Sequence, residues 1–127
     1  MKQNNFWQDL PKPFFVLAPM ADVTDIVFRD LVSKYSRMGE NNGGPDVLWT
    51  EFVSADGLCH VKGREKLLID LKFNPNNRPI VAQLFSSNVD NMREACKLCA
   101  ELGFDGIDIN MGCPDKTIEK QGCGSGM

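Results

Sequence analysis

Residues 79–85 read Pro-Ile-Val-Ala-Gln-Leu-Phe, a short and almost continuously apolar run. Such runs are typical of strands that are buried on both faces, as in a parallel sheet covered by helices. Three other short runs share this character and lie at residues 14–18, 46–53 and 106–110. Each of the four runs predicts one buried strand.

Helical spacing fills the intervals between the predicted strands. Thr24 is predicted to cap the first helix, with Asp25 in its first turn. One face of this helix carries Phe28, Leu31, Val32 and Tyr35. A later helix is predicted to begin at Ser87 or Asn88 and to end at Gly103. Its predicted inner face comprises Val89, Met92, Ala95, Cys96, Cys99 and Leu102.

The alternation of strands and helices predicts an α/β fold with a parallel sheet and helices outside it. About four strands suit either a small open sheet or half of an eight-stranded barrel. The Gly-rich stretch 122–127 resembles the start of another loop and helix, which favours the N-terminal half of a (β/α)8 TIM barrel. We therefore expect residues 1–13 to form an N-terminal extension and residues 14–127 a partial barrel domain.

Composition and charge limit the classes of protein to which this sequence can belong. The 127 residues carry a net charge of -3, which argues against a dedicated polyanion binder without excluding a local nucleic-acid site. No signal peptide and no apolar run of about 18 residues is evident. The five cysteines are an odd number with no secretion signal before them, which favours reduced thiols in a cytoplasmic protein.

In parallel α/β sheets, reactive groups gather at the carboxyl ends of the strands. Polar or small residues are predicted there: Pro19, Met20 and Ala21 after the first strand, Thr50 and Glu51 after the second, Gln83 near the end of the third, and Asn110, Cys113 and Pro114 after the fourth. A buried amide such as Gln83 needs hydrogen-bond partners, and a ligand contact is favoured over a structural one. For Asp108 a structural partner is favoured, and for Pro19 and Glu51 both interpretations stay open.

The cysteines differ in their settings. Cys96 and Cys99 lie on the apolar stripe of a helix, and no second ligand pair accompanies them, so we expect core residues and no metal site. Cys113 follows a strand, between Gly112 and Pro114. An unperturbed thiol is mostly protonated near neutrality, and no evident histidine partner would activate Cys113 as a nucleophile. Cys113 is therefore a candidate general acid.

Several motifs resemble those of the tRNA dihydrouridine synthases. They are residues 17–25 (LAPMADVTD), Thr50-Glu51, residues 83–85 (QLF), residues 108–114 (DINMGCP) and the tail 120–126 (KQGCGSG). They cover the chain from about Phe14 to its C-terminus, in the family's order. The Asn-x-Gly-Cys-Pro motif is the most specific, whereas Ala-Pro-Met is similar to sequences in other FMN barrels.

The resemblance implies a TIM barrel that binds FMN at the carboxyl ends of its strands, followed by a helical RNA-binding domain. NADPH would reduce the flavin, which would pass a hydride to C6 of a uracil in tRNA, and Cys113 would protonate C5. Pro19, Met20 and Ala21 would run along the flavin, Gln83 would hydrogen-bond its ring, and Asn110 would help hold the uracil. No metal and no membrane is implied.

Two positions depart from the family pattern, since Asp22 stands where Gly is expected and Cys123 where Ala is expected. The family's later Lys and His flavin contacts, its phosphate-binding loops and its helical domain would follow Met127. The chain therefore resembles an N-terminal fragment of the enzyme. One alternative is a non-catalytic half-barrel or interaction module. Another is a different FMN barrel, such as a dihydroorotate dehydrogenase-like protein. The motif at residues 110–114 argues against this second alternative.

Overall fold

The computed structural model describes residues 5–127, and within them three strands form one parallel sheet. The strands are β1 (Leu48–Ser54), β2 (Ile80–Phe85) and β3 (Gly106–Ile109), in the spatial order β1-β2-β3. Leu48 pairs with Ile80, and Val81 pairs with Gly106. The predicted fold class is confirmed as an α/β arrangement with a parallel sheet and outer helices, which is consistent with part of a TIM barrel.

Helices occupy the intervals between the strands. They are α1 (Ile26–Tyr35), α2 (Ala55–Cys59), α3 (Val61–Leu67), α4 (Val89–Glu101) and α5 (Lys116–Glu119), with short 3-10 turns at Phe6–Gln8, Pro75–Asn77 and Gly124–Gly126. Asn88 caps α4 by accepting from the backbone N–H groups of Asp90 and Asn91. Gly103 follows that helix with φ +87°, a conformation that favours glycine. Within residues 5–127, no helix has both the length and the apolar character that crossing a membrane requires.

The outer face of the sheet packs against helices and forms the larger apolar core. Its buried members are Val53, Ala55, Leu58, Leu71, Ala82, Leu84, Ala95 and Cys99. Ala95 and Cys99 confirm part of the predicted inner face of α4, whereas Val89 and Leu102 are exposed at its two ends. The helix therefore contacts the sheet mainly through its middle turns.

The inner face of the sheet carries a second, smaller apolar cluster toward the amino ends of its strands. There Val47, Trp49 and Val81 are buried, and Phe6, Trp7 and Leu10 from the N-terminal segment pack against them. Residues 1–4 of the predicted extension lie outside the described part of the chain. The division of the chain at residue 13 stays a prediction.

The predicted first strand at residues 14–18 is wrong. This segment makes only an isolated parallel bridge between Val16 and Val47. The Phe15 N–H donates to the Asp46 carboxylate at 2.8 Å, so a side chain occupies a donor that a second ladder would need. Prolines bracket the segment at positions 13 and 19, and proline has no N–H to donate. Phe15 is 67% exposed, so the expected burial on both faces is also wrong.

The start and the buried side of α1 also differ from the prediction. Asp25, and not Thr24, caps the helix by accepting from the Phe28 N–H at 2.7 Å. Leu31 and Tyr35 are exposed, whereas Arg29 is fully buried. The Arg29 guanidinium donates to the backbone carbonyls of Thr24 and Lys72. These bonds turn the arginine side of the helix inward, which periodicity of apolar residues does not predict.

Candidate active site

An open cleft of about 330 Å³ lies at the carboxyl ends of the strands. Its walls are Pro19, Ala21, Phe52, Gln83, Ile109, Asn110, Met111, Gly112 and Cys113. Of the residues predicted at the strand ends, the cleft brings together Pro19, Ala21, Gln83, Asn110 and Cys113, whereas Met20, Thr50, Glu51 and Pro114 do not line it. A larger cleft of about 700 Å³ lies at the amino ends, next to Asp46 and Arg78. Because chemistry in parallel α/β folds gathers at the carboxyl ends, the smaller cleft is the candidate active site.

Thr24 and Glu51 hold the loop that contains Pro19 and Ala21. The Met20 N–H donates to Thr24 Oγ1 at 3.0 Å, and that hydroxyl donates to the Met20 carbonyl at 3.1 Å. The Asp22 N–H donates to the Glu51 carboxylate. Met20 therefore serves the loop through its backbone. Asp22 has φ +58°, which explains physically why glycine suits this position.

A buried arginine, which the sequence analysis missed, supports the same loop. Arg29 binds the Thr24 carbonyl from beneath, and its Nε atom has no hydrogen-bond partner in the described structure. Burial lowers the pKa of this guanidinium, although Asp25 and Glu51 oppose the shift. The sequence carries no distinct signal of this role, because α1 also contains Asp30, Ser33 and Lys34.

A β-bulge brings Glu51 to the loop. Trp49 pairs with Val81 and Phe52 with Gln83, so β1 takes three steps where β2 takes two. The prediction that Thr50 and Glu51 follow the second strand is wrong, because β1 continues to Ser54 and contains both residues. Thr50 Oγ1 accepts from the Gln83 N–H at 3.2 Å and so stabilises the irregular register. Bulges commonly re-aim side chains beside active sites.

Gln83 is buried at the base of the cleft with two side-chain partners. Its Nε2 donates to Asp108 Oδ2 at 2.7 Å, and its Oε1 accepts from Asn110 Nδ2 at 3.1 Å. Asp108 Oδ2 also accepts from the Trp49 indole N–H at 3.2 Å. An amide has two hydrogens and two acceptor positions, so Gln83 keeps one of each for a further partner. Structural bonds and a cleft contact are therefore compatible at this residue.

The backbone on both sides of Cys113 is held in place. Asn110 Oδ1 accepts from the N–H groups of Gly112 at 3.2 Å and Cys113 at 3.0 Å. The Cys113 carbonyl accepts from the Ser125 N–H at 3.0 Å. A Cβ atom at Gly124 would lie 2.7 Å from that carbonyl, and φ is +58° there. The glycine-rich tail thus packs against the Cys113 loop, a role that the sequence analysis missed.

The helix that follows Cys113 is also anchored. Asp115 caps α5 by accepting from the Thr117 N–H at 2.7 Å and the Ile118 N–H at 3.3 Å. The bond from the Thr117 N–H is the main reason that the pKa of this carboxyl is lowered. The Cys113 loop therefore lies between a strand end and a capped helical turn.

The thiols divide by environment. Cys99 is fully buried in the outer core, and burial raises its pKa to about 12. Burial also raises the pKa of Cys96, which packs against the same core. Cys113 is half-buried and lines the cleft. Among residues 5–127, no group of three or more His, Cys, Asp or Glu side chains is arranged to hold a metal ion.

Comparisons with known proteins give a consistent result. A protein-family model described as "Dihydrouridine synthase (Dus)" matches residues 16–127. The chain is 46% identical over 123 residues to "Probable tRNA-dihydrouridine synthase 2" of Bacillus subtilis strain 168, covering 97% of this chain and 36% of that protein. It is 44% identical over 125 residues to "Probable tRNA-dihydrouridine synthase" of Staphylococcus aureus strain COL, covering 98% and 36%. The chain thus spans about a third of the length of these relatives.

Proposed function

The chain belongs to the dihydrouridine synthase family, and we propose on this basis that it is the N-terminal part of an enzyme that reduces uridine to 5,6-dihydrouridine in tRNA. One observation of the structure carries the proposal. The cleft at the strand ends brings the Cys113 thiol together with the amides of Gln83 and Asn110, beside the Pro19–Ala21 loop. The names of the relatives supply the substrate class.

The residues around the cleft fit a flat flavin ring. Ala21 is small, Pro19 has no side-chain polar group, and Gln83 keeps an unused amide hydrogen and acceptor position. Pro19, Met20 and Ala21 would lie along the ring, and Gln83 would hydrogen-bond its polar edge. When bound, FMN would be reduced by NADPH and would supply the hydride to C6 of the uracil.

Cys113 would supply the proton. As hydride arrives at C6, negative charge develops at C5 and the adjacent carbonyl, and the Sγ–H bond would break as a C5–H bond forms. The backbone contacts from Asn110 and Ser125 would hold this thiol in place during the transfer. Within residues 5–127 no histidine lines the cleft, and the proposal therefore uses Cys113 as an acid and not as a nucleophile.

Asn110 would help to hold the uracil with what its existing bonds leave free. Its Nδ2 gives one hydrogen to Gln83, and its Oδ1 accepts from two backbone N–H groups. The second Nδ2 hydrogen is then available for a uracil carbonyl oxygen. Asn110 would in this way contact the substrate and order the Cys113 loop. A cytoplasmic location follows from the proposed tRNA substrate and NADPH.

The experiment uses a full-length protein that carries this segment. We expect it to purify with FMN, to oxidise NADPH, and to form dihydrouridine in tRNA that lacks the modification, measured by nucleoside mass spectrometry. Orotate serves as the control substrate for another FMN barrel. Reduction of orotate without any dihydrouridine would contradict the proposal. Absence of both flavin and turnover would favour a non-catalytic module.

A further inference from the structure

A continuous chain of hydrogen bonds runs along the inner face of the sheet and ends at Cys113. Trp49 Nε1 and Gln83 Nε2 both donate to Asp108 Oδ2, at 3.2 and 2.7 Å. Asn110 Nδ2 donates to Gln83 Oε1 at 3.1 Å, and the Cys113 N–H donates to Asn110 Oδ1 at 3.0 Å. Five residues on three strands and one loop are thus connected.

In this series of hydrogen bonds, each residue donates to the next one in the direction of Asp108. A carboxylate can only accept hydrogen bonds, so Gln83 must turn its NH₂ group toward Asp108. The Gln83 oxygen then faces Asn110, whose NH₂ group must turn toward it. The Asn110 oxygen is consequently directed at the backbone N–H groups of Gly112 and Cys113. Flipping either amide would place two acceptors or two donors against each other, which costs free energy in a partly buried site.

We propose that Asp108 is a positioning residue that sets the orientation of the Gln83 and Asn110 amides and, through them, the place of the Cys113 loop. Asp108 does not line the cleft, so it acts through its hydrogen bond to Gln83, which does. This inference rests on the proposed function, because it gives a purpose to residues assigned there to the flavin, the uracil and the proton.

The geometry allows the contribution of the Asp108 acceptor oxygen to be tested separately from the contribution of its negative charge. Both donors use the same oxygen of Asp108, Oδ2. Asp108→Asn can keep an amide oxygen in that place and retain both bonds, whereas Asp108→Leu has a similar shape and no acceptor. If orientation is what Asp108 supplies, the Asn variant behaves like the wild type and the Leu variant does not.

Val81→Ala is the matched control. Val81 is fully buried on the same face of β2, two residues before Gln83, and belongs to the cluster with Trp49. Its truncation removes packing and leaves every hydrogen bond of the chain in place. It therefore reports the consequences of destabilisation alone.

The experiment measures two properties of the full-length protein that need no turnover. The first is backbone hydrogen exchange at Gly112 and Cys113 in the flavin-free protein, and the second is the FMN dissociation constant from flavin fluorescence. We expect Asp108→Leu to speed exchange at these two amides about threefold to tenfold. We expect it to weaken FMN binding by a similar factor. Asp108→Asn should stay within about twofold of the wild type on both measurements. Val81→Ala should change neither the exchange at these two amides nor the FMN dissociation constant.

The proposal would be overturned if Asp108→Leu and Val81→Ala gave the same exchange rates and FMN affinity. It would also be overturned if Asp108→Asn and Asp108→Leu lost the same exchange protection and FMN affinity. If Asp108→Leu does not fold, Asp108→Ala removes the same oxygen without adding bulk and must give the same exchange result. The exchange readout does not depend on the reaction. A protein that forms no dihydrouridine therefore refutes the proposed function, whereas unchanged exchange refutes the role of Asp108.

Discussion

Gln83 and Leu84 are adjacent in β2, yet their side chains lie on opposite faces of the sheet and have different tasks. Leu84 is fully buried in the apolar core beneath the helices. Gln83 is 8% exposed, is bonded to Asp108 and Asn110, and forms part of the cleft. Because side chains alternate along a strand, one chain segment serves two environments. The outer face stabilises the fold, and the inner face near the carboxyl end arranges polar groups.

This difference predicts that substitutions on the two faces have separable effects. A change on the outer face should lower the free energy of unfolding and leave flavin affinity unchanged once the protein is folded. A change in the polar part of the inner face should weaken ligand binding more than it weakens the fold. The following variants test that separation in a full-length protein that carries this segment.

Leu84→Ala should have the largest effect on stability. Removing a fully buried leucine costs about 2–5 kcal/mol, because transfer free energy is lost and a cavity remains. Urea unfolding measures the loss, and Leu98→Ala on the partly buried edge of the same core is the milder control. A loss below about 1 kcal/mol would show that the outer face does not carry the fold.

Gln83→Leu should have an intermediate effect, and on a different property. It preserves approximate volume, but it removes one of the two hydrogen bonds to Asp108 Oδ2, leaves Asn110 Nδ2 without its Gln83 acceptor, and takes the amide out of the cleft. We expect FMN binding to weaken by about 1–3 kcal/mol. Flavin absorbance after gel filtration tests this. Full flavin retention would assign Gln83 to structure alone.

Asp22→Gly should have the smallest effect and the opposite sign. Asp22 has φ +58°, where glycine has no steric penalty, and its N–H bond to Glu51 would remain. We expect the unfolding free energy to rise by less than about 1 kcal/mol, because the greater freedom of unfolded glycine offsets part of the gain. Val23→Gly, at a residue without positive φ, should lower it. Equal losses of unfolding free energy in the two variants would show that the positive φ of Asp22 causes no strain.

Sequence reasoning predicts the parts of this structure that depend on local pattern. β2 and β3, the Asn88 cap and Gly103 at the end of α4 follow from apolar runs and turn chemistry. The clustering of Gln83, Asn110 and Cys113 in one cleft follows from the rule that parallel strands place their carboxyl ends together. These features need no knowledge of distant contacts.

Features that depend on distant contacts could not be predicted in the same way. The first strand is absent as a ladder because Asp46, 31 residues away, takes the Phe15 N–H. The inward side of α1 depends on a bond from Arg29 to Lys72, 43 residues away. The bulge at Thr50 and the packing of Gly124 against Cys113 are likewise pairings that periodicity does not encode.

The most direct test of the account compares Cys113→Ala with Cys123→Ala in the full-length protein. Cys123 is buried, and the adjacent Gly124 packs against the Cys113 carbonyl, so this variant controls for loss of a thiol near the same loop. We predict that Cys113→Ala retains FMN and accepts reduction by NADPH but forms dihydrouridine about 10²–10⁴ times more slowly, the usual contribution of a positioned acid. Cys123→Ala should react at the normal rate. An unchanged rate of dihydrouridine formation in Cys113→Ala would contradict the assignment of Cys113 as the proton donor.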